Sequence, residues 1–323
     1  MAPPTDFSSA QYWSSRFESE TSFEWLVPTS TLIPIIDQCL ESVKSCLRND
    51  KGGVSVGDGG RPVEQGSQEE GAEQDINILH LGCGTSSLSS LLYEYLTERQ
   101  GRSTPSDDKE TQLAKASSPG GRYRIHDTDY VTPPTLPPPP IQFHLIDLLD
   151  SSSLSAAATL ISSTPGIKLS STDPINADSG GEAISPSEIE TGDDTPFNLI
   201  IDKSTSDAIS CSSPLPILSH DPKAPTDPVH RLVYNLSRVV PKGGRWLSVS
   251  YSDSRYDFLP SSLEQTKTDM GQKGECQLGW RVVKKEMVAT TYIPGGRRVG
   301  SGKEERIVYE PETGVWAYIL ERI

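Results

Sequence analysis

Two glycines flank a cysteine in Gly82-Cys83-Gly84, between the apolar run INILHL and the helical pattern SSLSSLLYEYLTER. A strand that breaks on GxG lets the backbone bend sharply and approach a ligand. The amides at the start of the following helix then attract a carboxylate or phosphate. Alone, such a turn serves any tight strand-to-helix connection equally well. Three acids add to it, because Asp129, Asp147 and Asp202 each stand at or just past the end of a later apolar run. An acid ending the second strand can accept hydrogen bonds from both hydroxyls of a ribose. One ending the third can accept from an adenine amino group, with Leu148 packing on the ring. The set suits a nucleoside with no phosphate and a zwitterionic amino-acid tail, as in S-adenosylmethionine. A nicotinamide dinucleotide fits less well. Ser87 stands where its fingerprint wants a third glycine, and no Tyr-Lys or His-centred hydride site is apparent.

The elements that must position these residues follow in a clear order. From Thr29, TSTLIPIIDQCLESVKSCL sets Leu32, Ile36, Leu40, Val43 and Leu47 on one helical face, with Ser30 or Thr31 as the expected cap. Strands are expected at INILHLG, RYRIHDTDY, IQFHLIDLL, FNLIIDKS and GGRWLSVSYS, with a helix at PVHRLVYNLSRVV. GWRVVKKEMV and GVWAYILERI form a closing pair. Strands alternating with helices predict an α/β fold, a doubly wound and mostly parallel seven-stranded sheet. Ligands of such sheets bind at the carboxyl ends of the strands, where the acids fall.

Low-complexity segments at about 49–75, 100–121, 131–140 and 150–195 read as long disordered loop insertions in a single domain spanning 1–323. Minor ones follow at 261–275 and 293–304. Segments 49–75 (net −5) and 150–195 (net −7) carry −12 of the chain's −15, so the acidity belongs mainly to insertions. No basic face is left for nucleic acid. Five cysteines with no CxxC pair and no His at zinc-ligand spacing predict reduced thiols and no metal. The opening MAPPTDFSSAQYW has no secretion-signal pattern, and no apolar run reaches membrane-spanning length; the expected location is cytoplasmic.

The sequence resembles the class I S-adenosylmethionine-dependent methyltransferases. More narrowly, it resembles the family of lysine methyltransferases of translation elongation factor 1-alpha. The residues that carry the likeness are YWSSRFESETSFEWL, LHLGCGTSSLS, DTDY, FNLIIDKSTSDAI and LSRVVPKGGRWLSVSYS, in order from Tyr12 to Ser252. The resemblance implies that Trp13, Phe17 and Trp25 cover the cofactor. It puts Gly82 and Gly84 at its methionine end, Asp129 and Tyr130 at the ribose, Asp147 and Leu148 at the adenine, and Lys203 near the sulfonium. Aromatic rings facing a sulfonium gain about 0.5–2 kcal/mol by cation–π attraction. A lysine beside a cation is odd, and an ion pair with Asp202 is the alternative.

The chain departs from the family pattern in three places. Thr85 replaces an asparagine. VTPPTLPPPPIQ stands where a helix belongs and proline blocks it, leaving one face of the sheet short and making Asp127 an alternative to Asp129 at the ribose. Ser204 and Ser206 replace a glycine and a leucine. The implied reaction is methyl transfer to a lysine of a protein such as the elongation factor. That amine must be neutral, and Asp202 or Asp207 is the candidate proton acceptor. Small-molecule methylation, or a degenerate fold that only binds, are the alternatives.

Overall fold

In the computed structural model, which describes residues 7–20, 22–50, 75–102, 123–162, 196–261, 278–290, 297–299, 306–308 and 313–323, the apolar run Ile76–Leu81 forms a central strand, β1. Two helices precede it, α1 (Ala10–Ser19) and α2 (Thr29–Asp50). After it come α3 (Leu88–Arg102), β2 (Tyr123–Asp129), β3 (Gln142–Leu145), α4 (Ser151–Ser162), β4 (Leu199–Lys203), α5 (Thr205–Ser210) and α6 (Pro228–Leu236). The chain ends with β5 (Arg245–Ser250), β6 (Trp280–Thr290), β7 (Arg297–Val299), β8 (Arg306–Val308) and β9 (Gly314–Arg322). The insertions expected at 49–75, 100–121 and 261–275 lie almost entirely outside the described residues, as do most of 150–195 and 293–304.

Seven strands form one sheet in the order β3-β2-β1-β4-β5-β9-β6, parallel except for β9, which runs against both neighbours. The expected doubly wound α/β sheet is what the chain builds. Its direction of growth reverses between β1 and β4, the place where ligands of open α/β sheets bind.

The side chains of β4 show how the layers are made. Leu199 and Ile201 face one core, with Leu32, Ile36, Leu40 and Val43 of α2 and Leu88, Leu92 and Leu96 of α3. Ile200 faces the other, with Leu154 and Ile161 of α4 and Val229, Leu232 and Leu236 of α6. That split follows from the two-residue period of a strand, while burial on both faces removes any polar alternation from the sequence.

Three expectations change. Helix α2 begins at Thr29, ahead of the caps proposed at Ser30 or Thr31. The segment expected to be low-complexity from 150 opens with α4. Leu154, Ala157, Ala158 and Ile161 share one buried stripe, and the Asp150 carboxylate accepts from Ser152 N at 3.0 Å, in the manner of an N-cap. Serine and alanine hid that period. Within 293–304, residues 297–299 form strand β7. The proline-rich connection after β2 has no helix, as expected, but it is not idle: Val131 and Ile141 are buried, and Ile141 belongs to the same core as Ile125 and Tyr123 of β2. No helix among the described residues is long and apolar enough to cross a membrane.

Candidate active site

A cavity of about 630 Å³ opens over the carboxyl ends of β1, β2, β3 and β4. Its floor is the glycine turn. Gly82 has φ +53° and Gly84 φ +50°, conformations that other residues adopt only with strain. A Cβ on Gly82 would lie 2.4 Å from Thr205 Oγ1, and one on Gly84 would lie 3.3 Å from the Phe17 ring. The turn is therefore fixed by local packing before any ligand arrives. Burial, then the nearby Asp127 and Asp129, push the Cys83 thiol far above its usual range, so it is no nucleophile.

Asp129 holds this turn in place. Its Oδ2 accepts from Gly84 N at 2.9 Å and its Oδ1 from Val131 N at 3.1 Å. It lines the cavity at 6% exposure, and burial raises its pKa despite those amides. Asp127, the alternative, points into the protein. His80 Nδ1 lies 3.1 Å from its Oδ1, and Ser89 Oγ donates to the same oxygen. Tyr130, exposed Asp147 and buried Leu148 line the cavity further along. Asp147 Oδ1 accepts from Leu149 N at 2.9 Å, and Asn235 Nδ2 donates to Leu148 O, so both neighbours are anchored.

The N-terminal segment forms the roof. Trp13, Phe17 and Trp25 all line the cavity, with Trp13 5.9 Å from Phe17 and 6.3 Å from Trp25 between ring centroids. The Arg16 guanidinium lies 4.4 Å from the centroid of Trp25, so part of this cluster's attraction for cations is already satisfied within the chain. All ten residues expected around a cofactor thus line one cavity, as does Asp207.

Two assignments are corrected. Asp202 does not reach the cavity; it is fully buried. Its Oδ1 accepts from Thr205 N and Ser206 N, capping α5, and its Oδ2 accepts from Ser248 Oγ at 2.8 Å. Burial raises its pKa. Successive residues of a strand point to opposite faces, which separates Asp202 from Lys203. Lys203 accordingly pairs with Glu24 rather than with Asp202. Asp207 lines the cavity, but its carboxylate already accepts from Ser250 Oγ, from Tyr251 N at 3.1 Å and from Arg255 Nη2 at 2.7 Å.

Glu24 was not singled out from the sequence, although it sits inside the FEW triplet next to Trp25, which was. One oxygen, Oε1, accepts from Ser86 Oγ and from both the amide and the hydroxyl of Ser87. The other, Oε2, accepts from Thr29 Oγ1 and Lys203 Nζ. Burial alone would raise its pKa, but the bonds from Lys203 and Ser87 outweigh that and hold it below the usual range. Residues Cys211–Leu215, which form the outer lip with Tyr251, were also missed; nothing in that run has a period or a motif. Ser204, where the resembled family has glycine, takes φ +74° and carries the strain a glycine would not. No metal-binding cluster occurs among the described residues.

No protein-family model matches the chain. A relative from Neurospora crassa, Methyltransferase srdJ, is 26% identical over 264 residues, covering 81% of this chain and 75% of that protein. Among solved structures, a SAM-dependent methyltransferase from Anabaena variabilis overlaps 99% of this chain and 97% of its own, with 9% identity and a TM-score of 0.37. A TehB-like SAM-dependent methyltransferase from Corynebacterium glutamicum overlaps 78% and 83%, with 12% identity and a TM-score of 0.29.

Proposed function

We propose that the chain is an S-adenosylmethionine-dependent methyltransferase whose acceptor is a lysine side chain of a protein such as a translation elongation factor. The observation that carries the cofactor half is convergence. Ten residues drawn from the roof, the glycine turn and three strand ends line one cavity at the point where the sheet reverses. The name of the Neurospora crassa relative supports the same chemistry.

The residues present fit that cofactor. At φ +53° and +50° the two glycines keep the turn bare of side chains along the cavity floor, and Asp129 offers carboxylate oxygens to hydroxyl donors in a nearly dry setting. Gly82 and Gly84 would take the amino-acid end, Asp129 the ribose, Asp147 and Leu148 the adenine. S-adenosylmethionine supplies an electrophilic methyl group for in-line displacement. The protein's share is alignment, exclusion of water by Trp13, Phe17 and Trp25, and acceptance of an uncharged amine. With Asp202 withdrawn and Asp207 held by Arg255, neither is placed as a free base. An incoming lysine therefore gives its proton to solvent water at the mouth, and desolvation at the lip formed by Ile209, Leu215 and Tyr251 keeps the amine neutral. The protein-lysine half rests on the likeness of YWSSRF, FEW and DKSTSDA to that family.

Incubation with methyl-labelled S-adenosylmethionine and a cell lysate tests both halves. Label recovered as methyl-lysine after acid hydrolysis of the protein fraction is the expected result. Label confined to small molecules would overturn the lysine assignment while keeping the methyl transfer. No label anywhere would overturn both.

A further inference from the structure

We propose that Glu24 makes this cavity able to hold a sulfonium, by cancelling the charge of Lys203, and so sets the preference between the charged methyl donor and its neutral thioether product. The inference rests on the cofactor reading above.

Lys203 lies in the wall of the cavity at the end of β4, and its side chain is only 1% exposed. Water can do little there to screen its charge. A cationic ligand entering the same space would meet like-charge repulsion unless an anion were already in place. Asp202 is turned away into the α5 cap. Asp207 is spent on Arg255. Among the described residues, the Lys203 ammonium bonds to Glu24 and to no other side chain.

Glu24 is built for this use. Thr29, Ser86 and Ser87 donate to it at 2.6–3.3 Å, so its carboxylate stays in position without help from the lysine. A latch between roof and sheet would need only hydrogen bonds, and a neutral amide would supply most of them. What an amide lacks is the charge. The transferred methyl leaves a thioether with no positive sulfur, so the Glu24 charge matters to the donor and not to that atom of the product.

The test is calorimetric binding of S-adenosylmethionine and of S-adenosylhomocysteine to the full chain and its variants. Glu24→Gln should weaken the donor by on the order of tenfold or more while moving the product about threefold or less. Glu24→Gln combined with Lys203→Met should bring the donor back towards the unmodified protein. Lys203→Met alone leaves the anion unopposed and should shift the ratio the other way, favouring the donor; it also serves should Glu24→Gln fail to fold. Equal losses for both ligands would make Glu24 a mechanical latch and overturn the proposal, as would unchanged affinities. An unmodified chain that binds neither ligand would instead overturn the cofactor reading on which the proposal stands.

Discussion

Gly82→Ala should destabilise the protein by roughly 2–5 kcal/mol, a large effect for a single added methyl. Two causes add. An alanine at φ +53° costs about 1–2 kcal/mol because its Cβ crowds the following carbonyl. That same Cβ would overlap Thr205, whose Oγ1, Cγ2 and Cβ would stand 2.4, 2.9 and 3.2 Å away. Thr205 has no easy retreat, since its Oγ1 donates to Leu81 O at 2.8 Å. Thermal unfolding should fall by about 5–15 °C. Adding Thr205→Ala should return part of the loss, the overlap with Oγ1 and Cγ2, and leave the conformational part. A Gly82→Ala protein with unchanged melting would show that the turn adopts some other path.

Asp129→Ala should weaken S-adenosylhomocysteine by about 100-fold, the largest expected effect on the ligand. It removes the acceptors proposed for two hydroxyls and strands the amides of Gly84 and Val131, at about 1–3 kcal/mol for each group left unpaired. Asp129→Asn keeps the volume and isolates the charge; a loss of about tenfold is expected there. The pH dependence has a definite sign. Burial raises the pKa of Asp129 above the ordinary carboxylate range, and a ligand that donates to it prefers the ionised form. Affinity should therefore be full above that raised value and weaken as pH falls through it, a slope that Asp129→Asn should flatten. Titrations of both proteins across the acidic range check this; equal slopes would remove Asp129 from the ribose position.

What the sequence revealed and what it hid divide along physical lines. Strand ends and the glycine turn were legible because they are local: an apolar run, a residue free in φ, an acid at the right distance. Asp129 against Asp127 was not, since both lie on the same face of β2 and only the packing of His80 and Ser89 separates them. Asp202 and Asp207 stayed open as alternatives for a related reason. All five residues of β4 are buried, so no polar alternation marks which of Asp202 and Lys203 faces the ligand. Glu24 meets Lys203 across 179 residues of chain, a pairing no spacing rule supplies. Helix α4 stayed hidden because serines and alanines dilute the stripe of Leu154 and Ile161.

In the function proposed above, one cavity, floored by Gly82 and Gly84 and walled by Asp129 and Asp147, holds an adenosyl amino acid. A crystal structure of the chain grown with S-adenosylhomocysteine tests it most directly. The predicted result places the ribose hydroxyls on Asp129, the adenine against Leu148 and the amino-acid end over the glycine turn, under Trp13 and Trp25. Density for that ligand elsewhere, or a cavity left without it at millimolar concentration, would contradict the account.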